Sequence, residues 1–447
     1  MWAVIKRVIS NIILSLTNSK LFKRIEFNVF RKIVFSKLKN YSKNVEPRLF
    51  WGPIPILNNK YWSNALKEDY SSYTIMNEYY NEINNISDFD YYAEDVLAKY
   101  HLPKFLLLRY KHFFLTFDLL KNYDVMHIPF SGAFLGPTEY WHHEAEIFKK
   151  LGKKIVVLPY GSDAYIYSKV KNTSFQNALL ISYPISGRME NGINQRVDYW
   201  TEQADFIPGG FMIDGFPRWD CVVGNFVVIE NPYTKTKKTY SNADGTSGLV
   251  KIAHCPNHRG AKGTEFLVDA INQLKRDGLK IELVLFENVK NSKILESLHF
   301  EIDILVEQLI LGYGLNAIEG MSSGVVTISN LSNDEYSLLF RRYGTLNECP
   351  IVTATPESIK EVLYKLITNP KLRRELGELG KQFSAKYHSP EFARYFFGMV
   401  YKKIWFNENV DLMNLFHPLN PKSYNNSKPL IKHPLINNHI VDDKNIN

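Results

Sequence analysis

Three consecutive pieces decide how the chain reads: Leu249-Val-Lys-Ile-Ala-His254, then Cys255-Pro-Asn-His-Arg-Gly-Ala-Lys-Gly263, then Thr264-Glu-Phe-Leu-Val-Asp-Ala-Ile-Asn-Gln-Leu-Lys-Arg276. The first is a nearly unbroken apolar run, the pattern of a strand buried on both faces. The third is an amphipathic helix with Thr264 as its expected N-cap. Strand, loop and helix in that order belong to a doubly wound parallel sheet, in which ligands bind beyond the carboxyl ends of the strands. The loop between them carries His258, Arg259, Lys262 and Gly263. Free N–H groups and positive dipole at the helix start, together with two full cationic charges, suit a diphosphate. The spacing is neither that of a Walker loop nor that of a dinucleotide fingerprint, so nucleotide hydrolysis and hydride transfer lose support.

Downstream, Ile281–Phe286 and Ile302–Val306 read as strands, and Gln308-Leu-Ile-Leu-Gly-Tyr-Gly314 as a loop opening a helix that ends at Gly324 before the strand Val325–Ile328. Gly312 and Gly314, flanking Tyr313, allow backbone N–H groups to approach an anion, with Gln308 at the start of the loop. Glu319 in the following helix can accept from sugar hydroxyls. Helices are expected over Glu357–Ile367, Pro370–Tyr387 and Pro390–Trp405, and the Asn, Lys and Pro-rich tail from Asn407 is expected to be disordered. Upstream, Arg48–Pro53, Val125–Pro129 and Ile155–Pro159 repeat the buried-strand pattern. Their following turns, Gly52-Pro53, Ser131-Gly132 and Tyr160-Gly161-Ser162-Asp163, form the expected substrate-facing rim of a first α/β half. His142-His143-Glu144 with Glu146 matches no metal-ligand spacing and reads as solvated helix surface; no metal or cofactor is expected.

At 447 residues, with 45% hydrophobic, 22% charged and 14% aromatic residues, the composition is globular and excludes a collagen-like, disordered or polytopic membrane chain. Cys221, Cys255 and Cys349 are odd in number and widely spaced, so neither a disulfide framework nor a zinc ribbon fits, and a reducing cytoplasm is expected. The net charge of +8 is not spread evenly. Residues 1–44 hold ten Lys or Arg against Glu26 alone, a balance of +9, which leaves −1 for the other 403 residues. The same segment has apolar residues at helical spacing, in Ile5–Leu16 and again at Leu21, Phe22, Ile25, Val29 and Ile33. Neither stretch is long enough to span a bilayer. A cationic amphipathic anchor on an anionic membrane surface is one expectation, and a helix pair packed on the body is the other.

Taken in order, His254-Cys-Pro-Asn-His-Arg-Gly-Ala-Lys-Gly263, Gly312-Tyr-Gly314 and Ala317-Ile-Glu-Gly-Met-Ser-Ser-Gly324, supported by Asp124-Val-Met-His127 and Gly161-Ser-Asp163, resemble the retaining glycosyltransferases of GT-B fold, family 4-like, of the bacterial polysaccharide and glycolipid type. The resemblance implies two Rossmann-like parallel-sheet domains facing across a cleft: an acceptor domain over 46–220 and a nucleotide-sugar donor domain over 221–390. A crossover helix over 391–406 returns to the first domain, residues 1–45 form the basic helical segment, and 407–447 the tail. It implies a metal-independent hexosyltransferase whose Arg259 and Lys262 hold the donor diphosphate, with Glu319 on the ribose. His258, Gly263, Gln308, Gly312, Tyr313 and Gly314 complete the donor side. Gly52, Pro53, Tyr160, Gly161 and Ser162 line the acceptor side, with Asp163 a candidate catalytic group there. Two positions depart from the family pattern: Leu311 stands where the first of two paired glutamates is usual, with Glu307 and Gln308 one helical turn earlier as its candidate substitutes, and Tyr160 stands where a histidine is usual. The rival readings are a sugar-nucleotide epimerase of the same fold, a non-catalytic partner protein, and a nucleic-acid binder, the last disfavoured because Phe22, Phe27, Phe30 and Phe35 interleave with Arg and Lys in a helical segment, whereas stacking modules place such residues on a folded sheet.

Overall fold

The computed structural model describes residues 19–39, 44–80, 84–211 and 214–441. The Ile5–Leu16 stripe, with Lys6 and Arg7, lies outside the described residues.

In the first domain, β1 (Leu49–Trp51), β2 (Ser72–Met76), β3 (Tyr91–Tyr92), β4 (Val125–Ile128) and β5 (Lys154–Val157) form one parallel sheet in the order β3-β2-β1-β4-β5. Every residue of β1 and β4 is buried, as strands covered by helices on both faces must be. The chain leaves β1 through Gly52 at φ +153°, where an added Cβ would come 2.2 Å from the carbonyl oxygen of Ile75, so only glycine fits. A parallel pair, β6 (Pro208–Gly210) and β7 (Cys221–Gly224), leads out of this domain. The second sheet contains β8 (Val250–His254), β9 (Ile281–Leu285), β10 (Ile304–Gln308), β11 (Val326–Ser329) and β12 (Val352–Thr353). All are parallel, in the order β12-β11-β10-β8-β9. In each sheet the strand order reverses beside its first strand, which puts a crevice at the carboxyl ends of β1 and β4, and of β8 and β10.

Helix Pro390–Ile404 returns to the first domain and packs on helix Leu57–Leu66. Phe397 meets Trp51 edge-on at 5.0 Å, and Trp62 donates its indole N–H to the carbonyl of Phe226 at 3.1 Å. His127 donates from Nδ1 to the carbonyl of Phe50, leaving Nε2 to accept from the Tyr401 hydroxyl at 2.9 Å. Burial lowers its pKa to about 3, so the imidazole is neutral in this aromatic core between the domains.

Helix Lys20–Leu38 is docked on the first domain through Phe27, Phe30, Val34 and Leu38. Phe27 stacks on Tyr140 at 4.2 Å and Phe30 on Phe113 at 4.5 Å, while Arg31 pairs with Glu146 at 2.7 Å. Its opposite face leaves Leu21, Ile25, Val29 and Ile33 between 49% and 70% exposed.

Two expectations are corrected. Glu144 is not solvated helix surface: it is fully buried, and its two carboxylate oxygens accept from the backbone N–H groups of Ala133 (2.9 Å) and Leu135 (2.8 Å). Burial pushes its pKa up to about 7. The residue clamps the loop after β4, a role that spacing along the chain does not reveal because its partners are unsatisfied backbone groups. The tail is not disordered over its described part. Leu412, Leu415, Phe416, Tyr424, Ile431 and Leu435 are buried, and a hairpin of β13 (Leu435–Ile436) and β14 (His439–Ile440) lies beside β12. Asn438 donates to the carbonyls of Cys349 and Ile351. Sparse apolar residues at irregular spacing have no period to detect, yet those from Leu412 to Ile431 join one hydrophobic cluster with the crossover helix, and Leu435 packs against the core of the second sheet.

Candidate functional site

The site starts at the end of β8. His254 donates from Nδ1 to the carbonyl of Val306 (2.7 Å), so its Nε2 accepts from the Thr264 hydroxyl (2.8 Å); both residues are buried, and burial holds the imidazole neutral with a pKa of about 4. This bond pins the start of helix Thr264–Arg276 against β8 and β10. It also corrects the N-cap: Gly263, at φ +72°, occupies the cap position, and the Thr264 hydroxyl is engaged by the histidine.

The intervening loop closes into a short helix, Arg259–Lys262. Arg259 is at the surface, paired with Glu265 (2.7 Å) and Glu287 (3.0 Å). Lys262 points inward and pairs with Glu307, a carboxylate only 1% exposed. His258 lies against the ring of Tyr183 from the first domain, centroids 4.2 Å apart, and the Ala261 N–H donates to Ser182 Oγ at 3.1 Å. The two domains therefore meet over this loop.

The glycine loop lies alongside. Gly312, at φ +70°, donates to the carbonyl of Asn330 (2.8 Å), and Gly314 donates to Glu307 (3.3 Å) at the start of helix Leu315–Ser322. Tyr313 is buried edge-on to Phe211, its carbonyl held by Asn225 of the interdomain linker at 3.0 Å. Gln308 folds back to donate to the carbonyl of Leu311, and the Leu311 side chain is buried in the apolar core.

Glu319, one turn into that helix, is 1% exposed. One carboxylate oxygen accepts from Asn291; the other has no hydrogen-bond partner among the described residues. Burial first, with the charge of Glu307 adding, pushes its pKa up to about 8. The Tyr61 hydroxyl of the first domain lies 3.4 Å from the same Asn291.

On the opposite wall, Asp163 accepts from the backbone N–H groups of Phe130 (2.9 Å) and Tyr160 (3.0 Å), and its dense surroundings raise its pKa to about 6 against those bonds. It ties together the turns that follow β4 and β5. Gly161 has φ +129°, Ser162 is exposed, and Tyr160 donates to Asn59 at 2.7 Å. Gly52 and Pro53 lie at the end of β1, where the Asn77 N–H donates to the Pro53 carbonyl.

The structure thus brings His258, Arg259, Lys262, Gly263, Gln308, Gly312, Tyr313, Gly314 and Glu319 to the carboxyl end of the second sheet, and Gly52, Pro53, Tyr160, Gly161, Ser162 and Asp163 to that of the first. Sequence reasoning did not single out Ser182, Tyr183, Tyr61 or Asn291, which meet the site only through tertiary contact. Glu307, a candidate substitute for the glutamate missing at 311, is the carboxylate that the structure sets against Lys262.

Two doubly wound parallel-sheet domains closing on such a cleft, with a crossover helix returning to the first, make this a protein of GT-B fold. Among curated proteins, the chain is 30% identical over 181 residues to the uncharacterized glycosyltransferase MJ1178 of Methanocaldococcus jannaschii, a match covering 36% of this chain and 49% of that protein. The chain thus spans about half the length of the curated relative it matches. No family model matches. Among solved structures, an alpha-glucosyltransferase in complex with UDP and a 13-mer DNA superposes with a TM-score of 0.47 at 11% identity, covering 79% of this chain and all of that one. The S. aureus MnaA–UDP co-structure gives 0.45 at 11% identity, over 80% and 96%. At these scores the superpositions add nothing to what the strand order already establishes.

Proposed function

We propose that the chain is a glycosyltransferase that moves a hexosyl group from a nucleotide-diphosphate sugar to a lipid-linked or polysaccharide acceptor at the cytoplasmic face of a membrane, without a metal and with retention at the anomeric carbon. The observation that carries this reading is Glu319: a buried carboxyl group with one oxygen that has no hydrogen-bond partner among the described residues, beside a loop that presents Lys262 and Arg259. A buried polar atom without a partner is costly, and a ribose hydroxyl, which can donate or accept, supplies the missing bond. Lys262 and Arg259 then stabilise the diphosphate as it gains charge on leaving, which is where a preorganised cation contributes most. The partial match to a protein named as a glycosyltransferase points the same way.

Asp163 serves in this scheme by holding the Tyr160–Ser162 turn against the loop after β4, which shapes the acceptor side. Membrane association is carried by helix Lys20–Leu38. Its exposed Leu21, Ile25, Val29 and Ile33 are flanked by the exposed Lys20, Arg24, Lys32 and Lys37. Phe105 and Leu108 of helix Lys104–Asn122 are also exposed, and Arg109 of that helix stands 5.9 Å over Phe22, extending the patch. Apolar residues entering the headgroup region while cations meet anionic lipid is the physics of an interfacial helix. No helix among the described residues is long and apolar enough to cross a membrane.

A thermal-shift screen of nucleoside diphosphates and their sugars tests the reading, since a ligand at 100 times its Kd stabilises the folded state by about 2.7 kcal/mol. A shift with a nucleotide sugar, followed by sugar transfer to a lipid extract, is the expected result. Binding without turnover would favour a non-catalytic partner protein, and interconversion of the free nucleotide sugar would favour an epimerase.

A further inference from the structure

Glu307 sits at the last turn of β10, where the register against β11 slips: Val306 faces Ile328 and Gln308 faces Ser329, leaving Glu307 as the extra residue. Such a bulge re-aims a side chain that regular pleating would send elsewhere. Here it turns a carboxylate toward two loops at once. One oxygen takes the ammonium of Lys262 from the cationic loop, and the other takes the Gly314 N–H from the glycine loop at 3.3 Å, with Ser329 Oγ 3.2 Å away. The backbone reinforces the join, because the Leu309 N–H donates to the Lys262 carbonyl at 3.1 Å.

The pair is asymmetric: the Glu307 side chain is 1% exposed and that of Lys262 is 14% exposed, so the acid is enclosed while the lysine keeps some access to solvent. A buried ion pair adds little net stability over well-packed apolar side chains, so what this one contributes is order. A lysine has a flexible four-carbon stem and three rotatable donors, and fixing one of those donors on Glu307 restricts where the ammonium and its other two donors can lie.

We propose that Glu307 is the positioning residue of the donor site: it holds the Lys262 ammonium and the Gly314 amide on one carboxylate, so that the two loops bracketing a diphosphate keep a fixed separation. This rests on the donor reading given above. Glu307 acts through Lys262 and Gly314 and does not itself touch the diphosphate.

The test uses inorganic pyrophosphate, which needs no knowledge of the base or sugar, titrated calorimetrically into the full chain. Electrostatics alone predicts that Glu307→Gln, by removing a negative charge beside a polyanion, tightens binding. Positioning predicts the opposite, a loss of about tenfold, the size of one misplaced charge-assisted contact. In a Lys262→Met background the same substitution should change the affinity by less than about threefold, because its effect runs through the lysine. Glu307→Asp, which keeps the charge but withdraws it by one methylene, should fall between, and it supplies the comparison if the glutamine variant does not fold. Unchanged or tighter binding in Glu307→Gln, or full additivity with Lys262→Met, overturns the inference alone. A wild-type chain that binds neither pyrophosphate nor any nucleoside diphosphate overturns the donor reading and this inference with it.

Discussion

Lys262 and Arg259 are cations of one short loop in unequal settings. Lys262 is mostly buried against Glu307, whereas Arg259 is exposed and shared between Glu265 and Glu287. Exposed pairs are screened and weak, while a partly buried charge-assisted contact to phosphate is worth about 1.5–3 kcal/mol. Lys262→Ala is therefore expected to lower kcat/KM for the donor by tenfold or more, and Arg259→Ala by distinctly less; equal losses in steady-state kinetics would contradict this ranking. Glu319 yields a second prediction with a defined sign. Its carboxyl titrates at about 8 in the fold against an ordinary 4.5, so between those values the folded chain binds the extra proton. Stability must then fall as pH rises through that window. Glu319→Gln should flatten the fall, making the ligand-free chain more resistant to urea than wild type at about pH 8.5, while weakening nucleoside-diphosphate binding. A variant that follows the wild-type pH profile would show that the raised pKa of Glu319 does not bear on stability, and one that binds nucleotide equally well would show that Glu319 is not a ligand.

At the scale of elements, helix Lys20–Leu38 has two apolar faces with different duties. Phe27, Phe30, Val34 and Leu38 are core, so Phe30→Ala should cost about 3 kcal/mol of stability. Ile25→Glu with Ile33→Glu alters only exposed positions and should leave the melting temperature unchanged while abolishing flotation with anionic vesicles. The electrostatic share of that binding must weaken as salt shortens the Debye length from about 10 Å at 0.1 M to about 3 Å at 1 M. Vesicle binding indifferent to both the double substitution and lipid charge would confine the helix to its packing role. Its helical period was plain from the residues alone. That one side docks and the other stays bare was not, because a period reports spacing and says nothing about which neighbour arrives. The same limit explains Glu144: an acid in a helical run looks solvated until the loop after β4 folds its N–H groups onto it.

Across the whole molecule, the tail fastens what the crossover helix begins. Phe416 and Tyr424 pack on Phe392, and the buried pair Lys386–Glu348 is closed by the carbonyls of Asn425 and Pro429 and by the Ile431 N–H. Ending the chain after Phe406 would leave that pair partly unsatisfied and expose the aromatic face, each at a cost of about 1–3 kcal/mol. The shortened chain is expected to melt at least several degrees lower or to aggregate; an unchanged melting temperature by calorimetry would mean that the tail only rests on the surface.

The residues alone were enough for the two parallel sheets, because strands covered on both faces must be unbroken apolar runs, and for the cations and glycines of the loop after β8, because strand ends fall where those runs stop. They also sufficed to place Lys262, Gly312, Gly314 and Glu319 near one crevice. Tertiary structure decided the rest. Only folding sets the slip in β10 that turns Glu307 onto Lys262, brings Tyr61 and Tyr183 of the first domain to the second, spends the Thr264 hydroxyl on His254, and leaves one oxygen of Glu319 without a partner. The physical reason is common to all of these: local pattern records which groups prefer burial, whereas hydrogen bonds and ion pairs between distant segments depend on distances of a few ångströms that exist only once both sheets are packed.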